Sequence, residues 1–99
     1  MRVSDSIGPD HPALAGHFPG NPVVPGVLLL ARVSRGIAAV FGARVCAIRD
    51  TKFHAPLRPG ERFDIELERV DAGAVKFRVL RGDNPIAAGT LNVSAGAAG

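Results

Sequence analysis

His17-Phe18-Pro19-Gly20-Asn21-Pro22-Val23-Val24-Pro25-Gly26-Val27-Leu28-Leu29-Leu30 is the stretch that organises this chain. Its first half belongs to a segment, residues 8–26, that contains Gly8, Pro9, Pro12, Gly16, Pro19, Gly20, Pro22, Pro25 and Gly26. That density of proline and glycine excludes regular structure. It also restricts the chain, so the segment loses less entropy on ordering and can hold side chains in place. Leu14, Phe18, Val23 and Val24 are available to pin it to a core. After Gly26 the breakers stop until Gly36. Val27, Leu28, Leu29, Leu30, Ala31, Val33, Ile37, Ala38, Val40 and Phe41 cover nearly every face of a helix, interrupted only by Arg32, Ser34 and Arg35. A helix apolar almost all round is expected to be buried. Gly36 costs it about 1 kcal/mol relative to alanine, which predicts close packing of another backbone there. Gly42 is the expected helix stop.

Downstream the period changes from helical to alternating. Phe63, Ile65 and Leu67 alternate with Arg62, Asp64, Glu66 and Glu68, and Val75, Phe77 and Val79 alternate with Lys76 and Arg78. This is the pattern of a sheet with one wet face. Asp71-Ala72-Gly73 suits a three-residue hairpin loop with Gly73 left-handed. That loop would set Val70 opposite Ala74, Glu68 opposite Lys76 and Glu66 opposite Arg78, so that opposite charges meet across the strands. Val45 to His54 and Ile86 to Val93 read as two further strands, the second after the turn Gly82-Asp83-Asn84-Pro85, and residues 1–7 as a short edge strand. The tail from Ala95 to Gly99 is expected to fray. The predicted class is α+β: loop, one long apolar helix, then an antiparallel sheet that wraps it. A single small sheet leaves an open edge and an uncovered helix face, and dimerisation is the simplest remedy.

With 99 residues, the expectation is one domain over 1–99. Hydrophobic residues make up 46% and aromatic residues 5%, so aliphatic packing must carry the core. The one cysteine, Cys46, cannot form an internal disulfide; it reads as an inert buried thiol in a reducing compartment. The N-terminus lacks the apolar run of a signal peptide. No apolar stretch approaches the roughly 20 residues that span a bilayer, so a soluble, cytoplasmic protein is expected. A net charge of +3 suits an acidic partner. Nucleic acid is not indicated, because the cations are scattered and no aromatics interleave with them.

His17-Phe18-Pro19-Gly20 followed by Pro22-Val23-Val24-Pro25-Gly26-Val27 resembles the active-site segment of the hotdog-fold 3-hydroxyacyl-acyl carrier protein dehydratases. Lys52-Phe53, Pro56 and Arg58-Pro59-Gly60-Glu61 resemble the strand and turn after the central helix in those proteins, and Gly89-Thr90-Leu91 fits their last strand. The chain is shorter than a typical stand-alone dehydratase and looks more like the compact members found beside specialised lipid or polyene biosynthesis enzymes. The resemblance implies a hotdog dimer with two active sites at the interface. In each, the loop histidine of one subunit acts with an acidic residue from the partner's central helix. The implied substrate is a 3-hydroxyacyl thioester on acyl carrier protein or coenzyme A, dehydrated to the 2-enoyl thioester without metal or other cofactor.

The residues fit that chemistry unevenly. His17 is a suitable base, since its unperturbed pKa is about 6.5. The backbone N–H of Gly26 or Val27, at the start of the helix, is a suitable oxyanion donor. Phe18, Val23 and Val24 are candidates to line an acyl tunnel, and Gly20 and Gly26 to let a thioester approach the backbone. Yet Ala31 stands where the resemblance places Glu or Asp, and alanine cannot donate a proton. Arg32, the next polar residue of the helix, stays cationic. Asp10 and Asp50 have no assigned place. Three readings stay open: a dehydratase in which His17 performs both proton transfers; an acyl-thioester-binding or partner subunit, homodimeric or paired with a homologue; and a hotdog thioesterase. His11 reads as a turn or surface residue and His54 as structural or exposed, and the histidines lack metal-ligand spacing. Arg32, Arg35, Lys52, Arg58 and Arg62 read as solvated charges, some of them available as a basic rim for an acidic carrier.

Overall fold

The computed structural model describes residues 1–8, 11 and 23–95. Its elements, in chain order, are β1 (Arg2–Ser6), α1 (Gly26–Phe41), β2 (Ala43–Phe53), β3 (Arg62–Asp71), β4 (Ala74–Arg81) and β5 (Asn84–Ala95). The strands form one antiparallel sheet in the order β1-β3-β4-β5-β2. The chain thus crosses from β2, on one edge, to β3 near the other, and α1 lies against the face in between. This is the α+β wrapped-helix arrangement expected from the sequence.

The alternation over β3 and β4 determines which face is which. Phe63, Ile65, Leu67, Val75, Phe77 and Val79 are buried and join Ala87, Leu91 and Val93 of β5 in one core. From the helix Leu29, Val33 and Ile37 enter that core. Helix α1 starts after Pro25, in extended conformation, and stops at Gly42, whose φ of 63° is left-handed and whose N–H donates to Ala38 O at 3.0 Å. Expected as the stop, Gly42 does that job because L-residues with a Cβ resist this conformation.

Several expectations need correction. The helix is not buried all round: Val27 is 75% exposed, and Ala31, Arg35, Ala38 and Ala39 are also open to solvent. One sheet covers only one side of it. Gly36 is buried, but its neighbour is not a backbone; a Cβ there would lie 3.5 Å from Leu67 Cδ1, an ordinary contact. The β3–β4 connection is a two-residue turn, Ala72-Gly73, closed by Asp71 opposite Ala74. Gly73 is not among the positive-φ glycines. Asp71 Oδ1 instead accepts from the Gly73 N–H at 2.7 Å, a side-chain turn that replaces the left-handed loop. The extra residue falls at Val70, in a bulge between Arg69 and Asp71. The other register pairs, Glu68 with Lys76 and Glu66 with Arg78, are as expected. The β4–β5 turn is likewise shorter, with Arg81 opposite Asn84 and Gly82 at φ 61°. Asn84 and Pro85 belong to the strand, and a register shift sits where Pro85 removes a ladder donor. Ala95 is paired with Ala43; the rest of the tail expected to fray, 96–99, lies outside the described residues.

Strand β2 departs most from simple alternation. It carries two bulges against β5, one between Val45 and Ala47 and one between Ile48 and Asp50. Register then sets Val45, Ile48, Thr51 and Phe53 opposite Val93, Leu91, Gly89 and Ala87, on the helix side of the sheet. A bulge absorbs one residue and re-aims those that follow. Cys46, expected to be buried, sits at the first bulge of this edge strand and is exposed. Gly89 accommodates the second: a Cβ there would collide with Asp50 O and lie 2.9 Å from Thr51 Cα.

Candidate active site

The loop that enters α1 is anchored by backbone. Val24 N–H donates to Leu57 O at 2.8 Å, and Val24 and Leu57 are both buried. On the facing strand, His54 N–H donates to Ile86 O at 2.8 Å, which fixes the end of β2 against β5. Between these two anchors lies a cavity of about 420 Å³ lined by Val23, Val24, Gly26, Leu29, Phe53 and the segment 54–57. Its walls are mostly apolar, as expected for a site that receives a hydrocarbon group.

Gly26 is the point where this cavity meets the helix. The carbonyl of Pro25 accepts from Leu28 N–H at 3.0 Å and from Leu29 N–H at 3.3 Å, and Pro25, at the N-cap, supplies no side-chain cap. Among the described residues, the N–H groups of Gly26 and Val27 have no hydrogen-bond partner. Free donors at a helix N-terminus favour an oxygen that carries negative charge. The ring of Phe53 stands directly over Gly26: a Cβ on Gly26 would lie 2.6 Å from Cζ and 2.9 Å from Cε1. Only glycine fits at this helix position with the ring where it is.

Of the residues singled out in the sequence, Val23, Val24 and Gly26 therefore come together around one cavity. Val27 lies one residue further along, with its side chain exposed. His17, Phe18 and Gly20, with Asp10, lie outside the described residues. Ala31 is not part of this cavity; it lies on the exposed face of α1, one turn on from Val27. Asp50 and His54 are exposed. Sequence reading missed Phe53 as a site residue. The aromatic residue at the end of a strand carried no signal of its own, because its partner, Gly26, is distant in sequence.

Arg32, read as a solvated charge, is instead a clamp. Its Nη1 lies 2.8 Å from both carboxylate oxygens of Asp5, and the two side chains are largely shielded from water. It ties α1 to the edge strand β1. A second depression, about 610 Å³, lies beside the wet face of β1, β3 and β4, with Arg2, Glu66, Glu68, Lys76 and Arg78 among its lining. Glu66 there accepts from Arg2 and from Arg78 Nε. The Arg2 hydrogen bond, followed by that of Arg78, holds the Glu66 carboxyl below the ordinary carboxylate range. Arg2, Glu66 and Arg78 are thus held by one another, and the apolar cavity at Gly26 is the better candidate site.

Comparison with known proteins agrees with this architecture. A chain of the dehydratase heterocomplex ApeI:P from Xenorhabdus doucetiae has the same fold, with a TM-score of 0.79, 24% identity, 94% of this chain and 85% of that one covered. The (R)-hydratase of A. caviae superposes with a TM-score of 0.70 at 20% identity, over 95% and 92% of the two chains. These likenesses define a hotdog-fold protein. In sequence, the model of the ApeI-like family, described as ApeI dehydratase, matches residues 1–90, and the chain belongs to that family. The 3-hydroxyacyl-acyl-carrier-protein dehydratase FabZ of Symbiobacterium thermophilum is 36% identical over 74 residues, which cover 66% of this chain and 52% of that protein. The chain spans about half the length of the first curated relatives it matches.

Proposed function

We propose that this protein dehydrates 3-hydroxyacyl thioesters, carried on acyl carrier protein or coenzyme A, to 2-enoyl thioesters. The observation that carries the reading is the apolar cavity at Gly26, where free N–H groups begin the helix. Membership of a dehydratase family supports it, as do FabZ relatives named for acyl-carrier-protein substrates. In this mechanism the thioester oxygen accepts from the Gly26 or Val27 N–H. Negative charge that develops on that oxygen as the C2 proton leaves is stabilised by donors already in place. His17 takes the C2 proton. The C2–C3 double bond forms, the C3–O bond breaks, and the imidazolium returns its proton to the departing hydroxyl, directly or through a water, to give water. Phe18, Val23 and Val24 exclude solvent from the acyl group, and Gly20 leaves room for the thioester.

The single chain is an incomplete unit in this reading. Strand β2 is an 11-residue edge, and Ile48 on its helix side is 58% exposed, close to the exposure of Phe53 at 52%. The unpaired backbone groups of an edge strand are a template for strand pairing. Together with the open face of α1 they support a dimer joined through β2. The partner is a second copy or a homologous chain. The second choice is favoured by Ala31, which leaves the helix without a proton donor, and by the likeness to a dehydratase described as a heterocomplex. On this alternative the chain binds the thioester and lends its site to an active homologue. Thioesterases share the fold, but no residue described in the cavity favours hydrolysis over dehydration.

The deciding assay offers 3-hydroxyacyl thioesters to the protein alone and follows enoyl product, free acid and thiol. Enoyl product that disappears in His17→Ala is the expected result. Free acid with thiol would establish hydrolysis instead. Saturable binding without either product would establish the partner-subunit reading.

A further inference from the structure

Phe53 is a half-exposed aromatic residue at the end of a strand whose backbone is fixed. The pairing of Phe53 with Ala87 and the His54 N–H to Ile86 O bond fix the strand beneath it. Its ring tip occupies the volume that a side chain on Gly26 would take, 2.6 Å from that missing Cβ. Both residues line the same cavity.

We propose that Phe53 sets specificity at the carbon beside the thioester carbonyl, admitting acyl groups unbranched at C2 and excluding those with a 2-methyl group. This rests on the reading in which the carbonyl oxygen is held at the Gly26 or Val27 N–H. An oxygen bound there brings its carbonyl carbon and C2 alongside the Gly26 Cα, and the ring tip fills the place where a Cβ on Gly26 would stand. A CH2 group fits beside a ring at ordinary contact distance. A methyl branch pointed at the ring demands space that the ring already fills, since carbon atoms do not approach much closer than about 3.5 Å. Leu29 also lines the cavity, one turn further along the helix; among the described residues, Phe53 is the one whose side chain stands over Gly26.

The test compares wild type, Phe53→Ala and Phe53→Leu on 3-hydroxybutyryl and 2-methyl-3-hydroxybutyryl thioesters. The acyl groups are presented on coenzyme A and on acyl carrier protein, in matched configuration and with a removable C2 hydrogen. Wild type is expected to favour the unbranched substrate about tenfold or more in kcat/KM, the scale on which one misplaced methyl is resolved. Phe53→Ala is expected to narrow that ratio to about threefold or less, with Phe53→Leu between the two. A ratio unchanged in Phe53→Ala, or a wild type that takes both substrates alike, overturns the proposal and leaves the dehydratase reading standing. If wild type turns over neither substrate, the same comparison is read by calorimetric binding of non-hydrolysable ketone analogues of butyryl- and 2-methylbutyryl-coenzyme A. Discrimination by wild type that is lost in Phe53→Ala then upholds the proposal while the dehydratase reading falls. Equal binding, or none, overturns the proposal.

Discussion

At the scale of single residues, Gly89 is the described glycine where an added side chain would be most crowded. Its missing side chain admits Asp50 O and Thr51 Cα of the bulged strand β2, with Phe77 Cε1 3.0 Å away. Backbone atoms cannot swing aside as a side chain can. Gly89→Ala is expected to cost about 1–3 kcal/mol, lowering Tm by about 10 °C in a chain of this size. Thermal unfolding by circular dichroism measures it, and an unchanged Tm would refute the bulge geometry. Glu66 is the residue whose ionisation matters most to the wet face. Its pKa is depressed in the fold by Arg2 and Arg78, so the stability it confers is present above its unfolded pKa and lost as pH falls through the folded value. Wild type should therefore lose stability as pH drops from about 5 toward about 3. Glu66→Gln should start less stable at neutral pH and fall less steeply over that window. The exposure of these side chains and the screening of surface pairs keep the effect small.

At the scale of elements, α1 shows how a local rule and its environment separate. Gly36 suggested a close backbone approach, and the structure instead places Leu67 Cδ1 at 3.5 Å from the position a Cβ would take. There is room for a methyl group, and alanine favours the helix over glycine by about 1 kcal/mol. Gly36→Ala is expected to raise Tm by about 4 °C, as read by the same thermal melt; a decrease would show that Leu67 cannot yield. The helix was legible in sequence from its apolar run between breakers, and β3 and β4 from their alternation over 62–68 and 75–79. β2 was legible as a strand but not in its facing. Two bulges re-aim Ile48 and expose Cys46, and nothing in the period announces a bulge. The hairpin was legible in its charge pairs, and its turn was misjudged by one residue because Asp71 closes it through its side chain.

At the scale of the whole molecule, the candidate site is legible in halves. The motif around His17 and the helix start at Gly26 is contiguous in sequence, so its chemistry can be read directly. Phe53 and the 54–57 wall come from the far end of β2 and meet it only through the fold. Ala31 belongs to this scale as well, since it lies on the open face of α1 and not on its own chain's cavity. A carboxylate there would act across an interface. If the assembly is a dimer joined through β2, Ala31→Glu is expected to raise dehydration about tenfold or more, within the range that a general acid supplies. Turnover of a 3-hydroxyacyl thioester by the folded, dimeric variant checks this. No gain would count against the proposed position of that helix beside the partner's site.

The sequence by itself determined the class of fold, the helix, the alternating strands, the charge pairing of β3 with β4, and the family. Each of these follows from periodicity, breakers or a contiguous motif, all of which are local along the chain. Only the tertiary structure decided which side of α1 is covered, where β2 bulges, that Arg32 clamps Asp5, and that Phe53 stands over Gly26. Those depend on residues far apart in sequence that meet only once the sheet has wrapped the helix, and close packing, unlike a period, leaves no repeating mark on the chain.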